Sequence, residues 1–414
     1  MSYLDTVDAV PPAERWRLVR RLMAEQPHPF FAEVRERRPV MVLPELTLAF
    51  RYADCALILR RHDDFGVDLY APKQGAYFMA QDDTADHWRD KSIMRSILDF
   101  EQIPQIRAFV TRTTAELLKA GSGRIDLPAA ITRAVPVAVV REFFGFAAAD
   151  PAELTECSYW SQQDAFHNQP FDESSEAELI VAEREKGSVR LAQLIGAIIK
   201  DKAAALRSGG GAAAAGDDPI TRLLRLSFSG GLKLPLEKVG LNAGGLLVGA
   251  VETTSHAVNN VIAELFDRPE TLAGARAAAR DGDPEEIDGY ALEALRLRPA
   301  FPWFFRTARR DSELAGGTPF ATVVPKGTTV LAMTHSAMSD RASFPEPERF
   351  DPARSQADNF TFGQGIHECL GRAVAKPMVG EIVRQILLLP GLRPDGAVVM
   401  RRGVPESLAI RWEA

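Results

Sequence analysis

The stretch Phe360 to Arg372 (Phe-Thr-Phe-Gly-Gln-Gly-Ile-His-Glu-Cys-Leu-Gly-Arg) constrains this chain more than any other. Cys369 is its centre, with Phe362, Gly363, Gly365, His367 and Gly371 at fixed offsets around it. The apolar periodicity of Leu370, Val374, Met378 and Ile382 predicts a helix immediately after it. A thiol at a helix N-terminus meets the positive end of the dipole and unpaired backbone N–H groups, and both favour thiolate. Thiolate is also the form that ligates a transition metal. Gly363 and Gly365 let the backbone approach something flat or bulky, since no Cβ stands in the way. The plainer alternative is a buried free cysteine in a glycine-containing turn, because free cysteine is among the most buried residue types.

At 414 residues the chain can bury a large core, and 46% hydrophobic with 25% charged content is that of a soluble globular protein. Cys55, Cys157 and Cys369 are far apart and odd in number, which gives no disulfide framework and suits a reducing compartment. None forms a C-x-x-C pair, and His367/Cys369 has no second ligand pair to complete a structural zinc site. The N-terminus carries early acids and no apolar core, so neither a signal peptide nor an anchor is expected. The longest uncharged apolar run, Val239 to Val251, is shorter than the ~20 residues of a membrane span. A cytoplasmic protein without a membrane anchor follows. The net charge of −7 argues against nucleic acid as a partner.

Along the chain, residues 12 to 38 predict two amphipathic helices broken at Pro27 to Pro29. Val40 to Phe50 reads as a strand or hairpin, and Tyr52 to His62 as helix. Residues 64 to 82 are irregular and hold the cluster Tyr77-Phe78-Met79. A helix opens at Asp86 and runs to Leu98, with His87 and Lys91 four apart on one face. Residues 101 to 207 read as several helices, in which Trp160, Phe166 and Phe171 line a pocket or fill the core. Ser208 to Asp218 is glycine- and alanine-rich, a flexible connection between helices. Pro299 to Asp311 is extended, with two prolines excluding helix. Val323 to Thr334 carries a hairpin signal, and Phe344 to Arg354 is a proline-rich meander.

Pro235 to Leu265 predicts a long apolar helix holding Gly240, Gly244, Gly245 and Gly249. Each glycine costs about 1 kcal/mol against alanine, so several together point to close approach by a ligand or another backbone. Within it, Gly249-Ala250-Val251-Glu252-Thr253-Thr254 places an acid and an alcohol in apolar surroundings. A hydroxyl that donates, backed by a carboxylate, suits proton delivery in a site that excludes water. The plainer alternative has the threonine bonding back to its i−4 carbonyl and the glutamate facing solvent. Further on, Glu293 and Arg296 stand at i, i+3 between Leu292, Leu295 and Leu297, which points to a buried ion pair.

The whole pattern Phe-Gly-x-Gly-x-His-x-Cys-x-Gly resembles the haem-binding loop of the cytochrome P450 family, the haem-thiolate monooxygenases. The likeness spans residues ~40 to 414 through landmarks in the right order. It implies a mainly α fold with a smaller β-rich part, a single cytochrome P450 domain over residues 1–414. The cofactor, heme b (iron protoporphyrin IX), would lie between the long central helix and the Cys369 loop. Cys369 would be the axial iron ligand. Phe362 would pack on the ligand loop beside Gly363, and His367 would reach a haem propionate. The Glu252 run resembles the family's acid–threonine motif, with Ala250 where glycine is usual. Thr253 would deliver protons, Glu252 would be its acidic partner, and Gly249 would adjoin the haem. His87 and Lys91 would reach propionates, with lysine where the family usually has arginine and Arg89 as a possible substitute. Arg306 would pair with a propionate through its fork. Phe78, Phe301 and Trp303 would touch substrate. Glu293 and Arg296 resemble the family's Glu-x-x-Arg, and Pro347-Glu-Arg349-Phe350 the motif that adds Arg349 as third member of a structural trio.

The reading is a soluble bacterial-type monooxygenase that inserts one atom of O2 into an apolar, mid-sized substrate, terpenoid or steroid-like. The chain shows no flavin or ferredoxin segment before Ala414, so electrons are expected from a ferredoxin and a ferredoxin reductase. Lys91, Arg95, Arg372 and Lys376 are candidates for the docking charge. Two alternatives are a peroxide-using peroxygenase or isomerase, and a haem-based gas or redox sensor without turnover. Loss of the acid–threonine pair would favour the former, and this chain keeps Glu252-Thr253.

Overall fold

The computed structural model describes residues 2–98, 100–208 and 216–413. The chain divides into two compact units, Met1–His87 with Leu292–Cys369, and Trp88–Ala291 with Leu370–Ala414. The Ser208 to Asp218 connection falls largely on residues 209–215, outside the described residues.

The first unit combines N-terminal helices with the larger sheet. Pro12–Glu25 and Pro27–Arg37 are the two expected helices, preceded by Tyr3–Ala9. Pro27 opens the third of these at its first position, where its missing N–H costs nothing. Five strands pair in the order Val40–Val42, Thr47–Ala49, Thr329–Ala332, Phe304–Ala308 and Phe65–Gly66. The first two form the expected hairpin, with Val40 opposite Ala49. The hairpin signal at Val323 to Thr334 resolves differently. Thr322–Val324 pairs with Ser312–Leu314, while Thr329–Ala332 turns away to join Thr47–Ala49 in parallel and Phe304–Ala308 antiparallel. Two β-branched runs next to a turn do not specify each other as partners when a buried sheet offers both sides of one of them. The core beneath the sheet includes Ala49, Ile58, Phe65, Val330 and Phe360.

The second unit is a helix assembly around Leu236–Phe266. This long helix packs against Ala134–Phe143, Pro151–His167, Ala177–Arg207 and Arg372–Leu387. Every residue from Val251 to Leu265 is buried except Thr253. A small sheet joins Arg124–Asp126, Ala409–Arg411 and Arg393–Pro394, and Val399–Arg401 forms a hairpin with Val404–Ser407. The strand at 124–126 and the π-turn Pro128–Thr132 lie within the region 101–207 that reads as several helices. Among the described residues no helix is long and apolar enough to cross a membrane.

Candidate haem-thiolate site

The Cys369 loop is closed by its own backbone. The Cys369 amide donates to the Phe362 carbonyl at 2.9 Å, and the Gly363 amide to the Phe360 carbonyl at 2.8 Å. Gly363 and Gly365 turn the chain at φ of +66° and +76°, which side chains with a Cβ rarely adopt. At Gly365 a Cβ would also stand 2.4 Å from the Leu59 carbonyl oxygen, so only glycine lets the loop rest on the Tyr52–Arg60 helix. Phe360 anchors the loop from beneath, its ring 4.8 Å from that of Tyr52. The thiol is half-exposed, three residues ahead of the first residue of the Arg372–Leu387 helix. Its charge acts on Tyr77, whose phenol is pushed up by burial first and by Cys369 second.

Buried cations and imidazoles gather in the same unit. Arg306 is buried on the Phe304–Ala308 strand, its Nη1 donating to the Phe305 carbonyl at 2.8 Å. Burial lowers its basicity, while Tyr70 and then Asp82 oppose that effect. His87 sets Nδ1 2.8 Å from the Phe78 carbonyl and Nε2 3.2 Å from the Ile366 carbonyl, tying residue 78 to the cysteine loop. His367 stands edge-on to His87 at 5.2 Å, with Nε2 4.0 Å from Asp82. Asp82 lies outside every motif read in the sequence. Phe78 is fully buried between Tyr77 and His87. Trp303 packs edge-on against Trp16 at 6.2 Å, and Phe301 lies 6.2 Å from Phe304.

The structural ion pair is present with one change of membership. Arg296 forks onto Glu293 at 2.8 and 2.9 Å, both side chains fully buried, and its other donors reach the Met338 and Pro347 carbonyls at 2.7 Å. The third cation is Arg354, not Arg349. Arg354 donates to Glu293 Oε1 at 3.1 Å and is 11% exposed, whereas Arg349 is 63% exposed and turned to Glu346. Arg349 contributes only its carbonyl, which accepts from Arg354 at 3.1 Å.

In the second unit the Leu236–Phe266 helix carries an open strip. Gly249 is exposed, Ala250 and Thr253 are half-exposed, and a Cβ on Gly249 would meet no heavy atom within 4 Å. Thr253 Oγ1 donates back to the Gly249 carbonyl at 2.6 Å, the ordinary helical arrangement. Glu252 does not face solvent. It is fully buried, and the Arg133 Nε donates to its two oxygens at 3.0 and 3.1 Å. Burial is the largest influence on this carboxyl and raises it from 4.5 to about 7 against the pull of Arg133. Of the two candidate cations on the Ala85–Ile97 helix, Lys91 is buried, while Arg89 is 39% exposed and bound to Asp90 at 2.8 Å.

Within the first unit, a thiol on a glycine-cleared loop and a buried guanidinium are donors of the kind that a flat, anionic, metal-bearing group would fit. The family model for cytochrome P450 matches residues 290–389. The cytochrome P450 monooxygenase PikC of Streptomyces venezuelae is 28% identical, covering 81% of this chain and 76% of its own length. The erythromycin C-12 hydroxylase of Saccharopolyspora erythraea is 28% identical, over 79% of this chain and 77% of its own. Among solved structures, a cytochrome P450 of Chondromyces apiculatus superposes with a TM-score of 0.78 at 22% identity, covering 94% of this chain and 96% of that one. Fold, motif order and relatives agree: the chain is similar to bacterial cytochrome P450s in fold over most of its length and in sequence at 28% identity.

Proposed function

We propose that this enzyme hydroxylates an apolar, mid-sized organic substrate, with O2 as oxidant and two electrons supplied by a ferredoxin and its reductase. Cys369 would hold the haem iron as thiolate, and the haem would supply the oxygen-activating chemistry that a thiolate ligand favours. Arg306 and Lys91 are buried cations suited to the haem's propionates, and His367 adds a third polar group beside the loop. Glu252 holds a proton near neutrality, and the Thr253 hydroxyl, once rotated away from the Gly249 carbonyl, would be the group to relay it toward the open strip of the helix.

The observation that carries this reading is the pairing of an open Thr253 with a buried, proton-holding Glu252 on consecutive positions of one helix. A sensor has no use for that pair. The erythromycin C-12 hydroxylase is named for erythromycin, so macrolides join terpenoids and steroids as substrate classes to try. The test is a titration of the ferric protein with members of each class, read as a low-spin to high-spin shift. Turnover of the responders with a ferredoxin and reductase follows. A hydroxylated product supports the proposal. A spin shift with peroxide-driven but no O2-driven product contradicts it.

A further inference from the structure

Behind the open strip lies a charge network with Arg133 at its centre. Besides binding Glu252, Arg133 donates through Nη2 to Glu406 Oε2 at 3.3 Å, on the Val404–Ser407 strand. Two carboxylates therefore share one guanidinium. Glu252 is fully buried, while Glu406 is 20% exposed. The Tyr159 hydroxyl donates to Glu406 Oε1 at 2.7 Å, and Arg402 donates to the same hydroxyl at 2.6 Å and to Glu176 at 2.8 Å. A cavity of about 680 Å³ opens onto Arg133, Tyr159 and Glu406, with Leu117, Ala129 and Val137 beside the polar Arg141 and Glu156 in its wall. The 20% exposed Glu406 is the edge of the pair that faces this cavity.

The other groups around Glu252 carry no compensating charge. His256 lies one turn along the same helix, with Nε2 3.7 Å from Glu252 Oε2, and burial holds its imidazole well below the usual value. His167, on the Pro151–His167 helix, is lowered to about 4 by burial and then by Arg402. The Tyr159 phenol is raised to about 12, chiefly by burial, and stays a neutral donor. The charges acting on Glu252 are thus those of Arg133, which draws its proton off, and Glu406, which opposes that. Burial remains the largest influence on Glu252, and Glu406 adds to it by opposing the pull of Arg133.

We propose that Glu406 is a positioning residue for proton delivery: by holding one edge of Arg133 it weakens the guanidinium's pull on Glu252, adding to the proton-holding that burial provides. The proposal deepens the reading of Glu252 as acidic partner of Thr253 and rests on it. It assigns the cavity at residues 117–137 and 406 as the face from which solvent replenishes that proton.

Difference infrared spectra of the haem-loaded ferric protein give the Glu252 titration midpoint directly, with its carboxyl band identified by its loss in Glu252→Gln. Glu406→Gln is expected to lower that midpoint by about one unit, the scale of a carboxylate–carboxylate term at a partly buried site. Glu406→Asp keeps a charge but draws it back from Arg133, so a smaller shift in the same direction is expected. This variant carries the test if the glutamine protein does not fold. A midpoint that stays put in both variants overturns the proposal. The underlying reading fails separately: if Glu252→Gln leaves product formed per O2 consumed unchanged, Glu252 is not the acidic partner, wherever its midpoint lies.

Discussion

Arg133 grips both carboxylate oxygens of Glu252, and yet burial keeps that carboxyl protonated to about pH 7. The folded protein thus retains a proton that the unfolded chain releases from about 4.5 upward. This site's contribution to stability therefore falls as pH rises through that window. His167 and His256 act in the opposite sense. Their folded values are depressed, so the unfolded chain takes up protons below about 6.5 that the folded state refuses, and their contribution is lost as pH falls. Glu252→Gln removes the first effect alone. Its stability relative to the parent should climb by up to about 3 kcal/mol between pH 4.5 and 7.5. Urea midpoints at several pH values measure this, and a difference independent of pH would contradict it.

Thr253 donates to the Gly249 carbonyl at rest, so its proton is available only after a rotation. Thr253→Ala should leave haem binding intact and let oxygen consumption continue. Product per O2 consumed should fall about tenfold or more, short of the full worth of a positioned acid because water substitutes in part. Thr253→Ser, which restores the hydroxyl, should recover most of the yield. Oxygen uptake, peroxide and product measured together decide this.

The buried Glu293 is held by Arg296 and Arg354. Arg354→Ala leaves a buried carboxylate under-compensated and should destabilise the fold by about 3 kcal/mol. Arg349→Ala touches an exposed side chain and should stay within about 0.5 kcal/mol. Thermal melts of the two variants compare them directly. Equal losses would mean that the exposed Arg349–Glu346 pair matters more than its surroundings allow.

The parts of this architecture that sequence discloses are those written locally. The cysteine loop, the Leu236–Phe266 helix and Glu293-Ala-Leu-Arg296 all announce themselves through spacing within a few residues. What pairs across long separations does not. Arg133 meets Glu252 across 119 positions and Glu406 across 273, and neither Arg133 nor Glu406 stands in a motif. Arg354 displaces Arg349 for a similar reason: the meander 344–354 has no periodicity, so nothing in it tells which arginine turns inward. The strand Thr329–Ala332 likewise chooses partners near residues 47 and 304 over its neighbour in sequence. Proximity of charges around His367 brought in Asp82, whose only signal was an acid in a long irregular segment.

Gly365 is a sharp test of the loop, since a side chain there faces both a φ of +76° and the Leu59 carbonyl. Gly365→Ala should lower haem occupancy well beyond what Gly363→Ala does, because a Cβ at Gly363 meets nothing closer than 3.8 Å. Haem per protein in the two purified variants is the measurement, and equal occupancy would contradict the loop's dependence on that close approach.

The central claim is that Cys369 ligates haem iron as thiolate, and the spectrum of the reduced protein under carbon monoxide tests it most directly. A strongly red-shifted Soret band, lost in Cys369→Ala, is the predicted result. A normally placed band in freshly prepared wild-type protein would mean neutral thiol or imidazole ligation and would contradict the account.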